Sequence, residues 1–231
     1  MEGIRVEQDI EHAVQIQADY VTLEGDLALP VDARGIVLLA HDSASSRLGP
    51  RSQLLAQEMR EAGLATLQLD LLTPEEEAVD ARTRQLRFDI DLLATRLVAA
   101  TDWVLQKPEA QGLGVGYYGS RTGAAAALAA AVARADVVRA VVSLDGRPDL
   151  AASVLGRVEA PTLLIVEGMD YQVRRLNEQA LQRLDTEKAL EIVSGPMDML
   201  AESAPLEEVA RLTGSWFSHY LVPAREPVRV I

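Results

Sequence analysis

The side chains able to do chemistry in this chain are few. There is no cysteine, which removes a thiol nucleophile, a disulfide framework and a zinc-thiolate site. The histidines are His12, His41 and His219, and an isolated imidazole is more often a structural hydrogen-bonding group than a base. Between two glycines lies the run Ser120-Arg121-Thr122. A guanidinium stays protonated and cannot attack a carbonyl, but its planar fork of donors suits carboxylates and other anions. The carboxylates of Asp42, Asp145, Asp170 and Asp198 could pair with such a cation, act as a general base or ligate a hard metal ion.

Short apolar runs alternating with longer helical patterns must position these groups. Residues 14–18 and 20–23 alternate in polarity and predict an antiparallel edge hairpin. Strand-length apolar runs follow at 35–40, 64–69, 113–118, 137–143, 162–166 and 189–193. Helices fill the gaps. One spans Pro50 to Ala62, with Gly63 as its stop, and a long one carries Leu86, Ile90, Leu93, Leu97 and Val104 before Pro108. An alanine-rich helix covers 124–133, and a last helix places Leu206, Val209, Leu212, Trp216 and Tyr220 on one stripe. Thr73-Pro74-Glu75-Glu76-Glu77 reads as a helix N-terminus with acids in its first turn. The class is α/β, one domain over residues 1–231 with a mostly parallel twisted sheet, helices on both faces and an N-terminal antiparallel edge. A site is expected in the loops beyond the strands' C-terminal ends.

Several segments in this order resemble an α/β-hydrolase of the dienelactone-hydrolase-related branch. They are His41-Asp42-Ser43-Ala44-Ser45-Ser46-Arg47, Asp70-Leu71-Leu72-Thr73-Pro74, Gly116-Tyr117-Tyr118-Gly119-Ser120-Arg121-Thr122-Gly123, Gly146-Arg147-Pro148-Asp149-Leu150 and Ala160-Pro161-Thr162-Leu163-Leu164. The resemblance implies a serine nucleophile at the middle of the G-x-S-x-G turn, a position that holds Arg121 here. It implies a histidine in the loop after the last strand, where Asp198 stands, and keeps a triad acid at Asp170. Asp42 and Ala44 replace glycines expected in the oxyanion loop. His41, Asp42, Ser43, Ser120, Thr122 and Asp145 then line the pocket, with the four acids converging on Arg121. Three readings of that cluster are an ion-pair network filling the former catalytic pocket, an anion clamp with an acid as general base, and a hard-cation site that Arg121 would oppose.

Composition bounds the partners. With 22 Lys+Arg against 35 Asp+Glu, a formal charge of −13 opposes nucleic acid and anionic membranes. The N-terminal residues lack the pattern of a signal peptide, so a cytoplasmic location is expected. No cofactor and no metal are expected. The tail Val228-Arg229-Val230-Ile231 reads as a strand for a sheet edge or a second subunit of a homodimer, or as a frayed end. The expected function is non-hydrolytic: small anionic or polar ligand binding, scaffolding or regulation, as an inactivated or redesigned hydrolase. The alternative is an ester or lactone hydrolase acting through Ser120 or Ser43, or another enzyme with a non-standard site.

Overall fold

The computed structural model describes residues 10–41, 47–194 and 204–222. Eight strands form one sheet in the order β1-β2-β4-β3-β5-β6-β7-β8. The hairpin β1 (Ile10–Ala18) and β2 (Val21–Leu29) is antiparallel, and β2 also pairs antiparallel with β4 (Ala65–Asp70). From β4 through β3 (Gly35–His41), β5 (Gly114–Ser120), β6 (Val138–Leu144), β7 (Thr162–Glu167) and β8 (Lys188–Val193), every pairing is parallel. This is the doubly covered sheet that the unbroken apolar runs predict, because crossover helices bury both faces of each central strand. β3 is buried at all its positions.

Two cores result. On one face, α1 (Pro50–Glu61) and α6 (Ala204–Leu221) pack Leu55, Met59, Val209 and Phe217 against Val37, Leu39 and Val142. On the other, α3 (Ile90–Leu105) and α4 (Arg121–Ala133) pack Leu93, Leu97 and Leu128 against Leu38, Leu67 and Tyr117. α6 lies so close to the sheet that a Cβ on Gly116 would meet the Phe217 ring at 2.7 Å. Among the described residues no helix is long and apolar enough to cross a membrane.

The long helix expected around Leu86 is divided. α2 (Pro74–Thr83) ends on Arg84 in the left-handed conformation (φ 56), a one-turn 3₁₀ segment follows, and Asp89 then caps α3 through the Leu92 N–H. Thr83-Arg84-Gln85 lacks a glycine or proline to advertise this break. The stop is made instead by Asp80, fully buried, whose carboxylate accepts the backbone N–H and Nε of Arg87 at 3.0 and 2.6 Å.

The acids read as a helix start do more than face a helix dipole. Glu76 completes a capping box with Thr73, accepting the Thr73 N–H at 2.9 Å while Thr73 Oγ1 accepts the Glu76 N–H at 3.3 Å. The same carboxylate takes both terminal nitrogens of Arg96 at 2.6 Å, and Arg96 also reaches the Leu71 carbonyl at 2.7 Å. Hydrogen bonds from Arg96 hold the Glu76 carboxyl below its ordinary 4.5. Its folded value is therefore below its unfolded one, so this stabilisation is complete above the ordinary value and is lost as pH falls through the folded value. Glu76→Gln leaves Arg96 buried without its counter-charge and is expected to cost about 3 kcal/mol at neutral pH. In urea denaturation the gap to the unaltered protein should narrow below about pH 4; a gap independent of pH would refute the ion-pair assignment.

Candidate functional site

β5 runs into α4 without a loop. Ser120 is extended (φ −116, ψ 148) as the last strand residue, and Arg121, the first helical residue, adopts the left-handed conformation with φ 50. A turn this tight brings strand and helix backbones together: a Cβ on Gly119 would lie 2.4 Å from the Gly123 carbonyl oxygen. Ala124, Ala125, Ala126 and Ala127 continue the helix fully buried, their small side chains letting it settle on the sheet. A non-glycine residue in the left-handed region costs about 1–2 kcal/mol, so the surrounding structure imposes the conformation on Arg121. The Arg121 carbonyl accepts the Arg147 N–H at 3.0 Å. Its side chain is exposed and has no hydrogen bond or ion pair among the described residues.

On the neighbouring strand, Asp145 follows β6 and is also left-handed, with φ 44. Its N–H donates to the Ile165 carbonyl at 2.8 Å, and its carboxylate accepts the Glu167 N–H at 2.8 Å, tying the ends of β6 and β7 together. Burial pushes the Asp145 carboxyl above its ordinary value; the Glu167 N–H and the charges of Arg51 and Arg121 pull the other way. Arg51, in the first turn of α1, likewise makes no ion pair among the described residues. The C-terminal ends of the central strands therefore hold one partly buried carboxylate within electrostatic reach of two guanidinium groups.

The other candidate residues divide. Asp170 is exposed and caps α5 (Tyr171–Arg183), its carboxylate accepting the Val173 N–H at 2.9 Å; no ion pair joins it to Arg121 among the described residues. His41 is buried at the end of β3, with Nδ1 3.4 Å from Ser52 Oγ. Thr122 is buried just inside α4, and Ser120 is partly exposed. Asp42, Ser43 and Asp198, and the tail at 228–231, lie outside the described residues. Among the described residues no group of three or more His, Cys, Asp or Glu side chains could hold a metal ion.

A firm anchor stands where the chain re-emerges after residue 46. Arg47 pairs with Glu24 at 3.1 Å, with Asp26 at 2.9 Å and with Asp70, and its backbone N–H also donates to Asp70 at 3.3 Å. Its carbonyl accepts Gln53 Nε2 at 2.9 Å. One residue thus ties the N-terminal hairpin, the end of β4 and the start of α1 to the rim of the site.

No family model matches the chain. The crystal structure of a dienelactone hydrolase from Anabaena variabilis superposes with a TM-score of 0.87 at 52% identity, covering 93% of this chain and 100% of that one. The chain belongs to the dienelactone hydrolase family of α/β-hydrolases. Est1E from Butyrivibrio proteoclasticus shares the fold at a TM-score of 0.73 and 13% identity over 90% of this chain and 98% of its own. Two Mycobacterium tuberculosis proteins, of strains CDC 1551 / Oshkosh and ATCC 25618 / H37Rv, carry the provisional name phosphoribosyl transferase. Each is 46% identical over 211 residues, which is 91% of this chain and 47% of the relative. This family member thus spans about half the length of the curated relatives it matches.

Sequence reasoning overlooked Arg51 and the anchoring role of Arg47. Arg51 had no motif to mark it beyond its place one residue after the helix-starting Pro50. Arg47 ends the segment that follows β3, but its acidic partners are spread over two other strands.

Asp145 supplies a test of the site's electrostatics. A carboxyl whose folded value is raised adds a penalty that appears as pH climbs from 3.8 through the folded value. Asp145→Asn keeps an oxygen for the Glu167 N–H, so it is expected to raise the melting temperature at about pH 8 and to make little difference at about pH 4. Equal effects at both values would show that the carboxylate is not held in a desolvating site.

Proposed function

We propose that this chain is a non-hydrolytic member of its family whose cleft binds a small anion through Arg121. The observation that carries the reading is the exposed Arg121 guanidinium, held at the left-handed strand-to-helix turn with no ion-pair partner among the described residues. Acyl transfer at such a turn needs a nucleophile whose side chain the strained backbone pushes into the cleft. A guanidinium there cannot be acylated, and one residue earlier Ser120 is ordinary extended strand. Asp170 has a structural task as the cap of α5, which accounts for its presence without an imidazole to orient.

The chemistry left to the site is recognition. Arg121 supplies a fork for a carboxylate or phosphate, Arg51 adds positive potential from α1, and Asp145 fixes the β6–β7 end while opposing too high a local charge. The transferase name of the mycobacterial relatives belongs, on this reading, to the part of those proteins outside the match, since the matched part has the hydrolase architecture over its whole length.

Thermal denaturation with acetate, malonate and phosphate tests the proposal. A ligand at about 100 times its Kd stabilises by about 2.7 kcal/mol, or about 5–10 °C for a domain of this size. Arg121→Ala should abolish that shift while leaving the ligand-free melting temperature within about 2 °C. Stoichiometric labelling of Ser120 by a fluorophosphonate, with turnover of p-nitrophenyl acetate, would overturn it.

A further inference from the structure

α6 covers β3, β5 and β6, seating Phe217 over Gly116 and Leu221 over Gly35. The same face of β7 and β8 projects beyond it, and β8 is the sheet's edge. A groove of about 270 Å³ opens there, with Leu163 and Ala189 as its floor and Trp216 and Tyr220 as its aromatic wall. It lies over the starts of β7 and β8, the opposite end of the strands from Arg121. The two rings are 4.8 Å apart and inclined at 57°, and His219 packs edge-on to Tyr220 at 4.6 Å.

The groove carries one carboxylate, Glu191, at its lining. Glu187 lies outside the lining, on the Tyr220 side of the groove. Burial and the nearby Glu187 carboxylate push the Tyr220 phenol up to about 12, so it stays protonated. Neither glutamate forms a salt bridge among the described residues: Arg211, whose charge reaches Glu191, is bonded to Glu208 at 2.7 Å, and Lys188 donates to the Leu184 carbonyl at 2.5 Å. The chain's other tryptophan makes an instructive contrast. Trp103 holds its own cation, with Lys107 Nζ 4.0 Å from the ring centroid, whereas Trp216 lines a groove with Glu191 and has no cation over its ring among the described residues. Aromatic rings beside a carboxylate that forms no salt bridge attract a weakly hydrated organic cation, and the apolar floor suits its alkyl groups.

We propose that the groove between α6 and β8 is a binding site for a small organic cation bearing an alkylated ammonium, held by the faces of Trp216 and Tyr220 and the charge of Glu191. Choline is the probe and 3,3-dimethylbutan-1-ol, the same shape without the charge, its control. In a Trp103→Phe chain Trp216 is the sole tryptophan, and its fluorescence should change saturably with choline at a half-saturation about ten-fold lower than with the alcohol. The indole N–H resonances of the unaltered chain should show the same preference, confined to Trp216. Glu191→Gln, at an exposed position, should weaken choline about five-fold and leave the alcohol unchanged. No saturable change with choline, equal responses to the two probes, or a choline affinity indifferent to Glu191→Gln would each overturn the assignment.

Discussion

The close approach of Gly119 to Gly123 is the constraint on which the site depends. With no space for a Cβ between them, β5 reverses directly into α4, and the residue at the apex has to adopt a positive φ whatever its side chain. That backbone is indifferent to chemistry: it would project a hydroxyl, a thiol or a guanidinium alike. A flexible, charged arginine is an unfavourable occupant of a left-handed position, yet the buried alanines behind it and the carbonyl bond to Arg147 hold the turn in place. Architecture and reactivity are therefore separable here, the first fixed by glycine and alanine and the second by one side chain.

The acid excess has a structural use that a net charge conceals. Carboxylates are spent on particular arginines: Glu76 on Arg96, Asp80 on Arg87, Asp149 on Arg147, and Glu24, Asp26 and Asp70 together on Arg47. Arg51 and Arg121 are among the described arginines that no carboxylate pairs, and they are the two whose charges reach Asp145 at the strand ends. Pairing at partly buried positions neutralises a charge whose desolvation would otherwise oppose folding. A cation left unmatched at the end of a parallel sheet is instead available to a ligand.

Much of this was legible in the chain itself, for reasons that differ by element. The central strands were plain because burial on both faces leaves no polar register, and the hairpin because one solvated face imposes alternation of two. The division of the long helix at Arg84 was not, because the apolar spacing continues through it and the terminating group, Asp80, is a buried acid whose partner lies seven residues away. At the site, the glycine pair and its central arginine were visible as a local motif. The pull of Arg51 on Asp145 was not, since it joins two crossovers that only the sheet order brings side by side. Nor did Asp170 disclose from its motif that its carboxylate caps a helix.

Asp145 and Arg121 act on each other through their charges. Asp145 is held in the left-handed region, where glycine is preferred, and its carboxyl is partly desolvated; both features are unfavourable in isolation. The positive charge at Arg121 offsets part of the second, and the hydrogen bond to Glu167 offsets part of the first. Conversely, the ionised Asp145 carboxylate lowers the positive potential that Arg51 and Arg121 set up around it. Each charge is thus easier to hold with the other present, so the effects of removing Asp145 and Arg121 should not simply add.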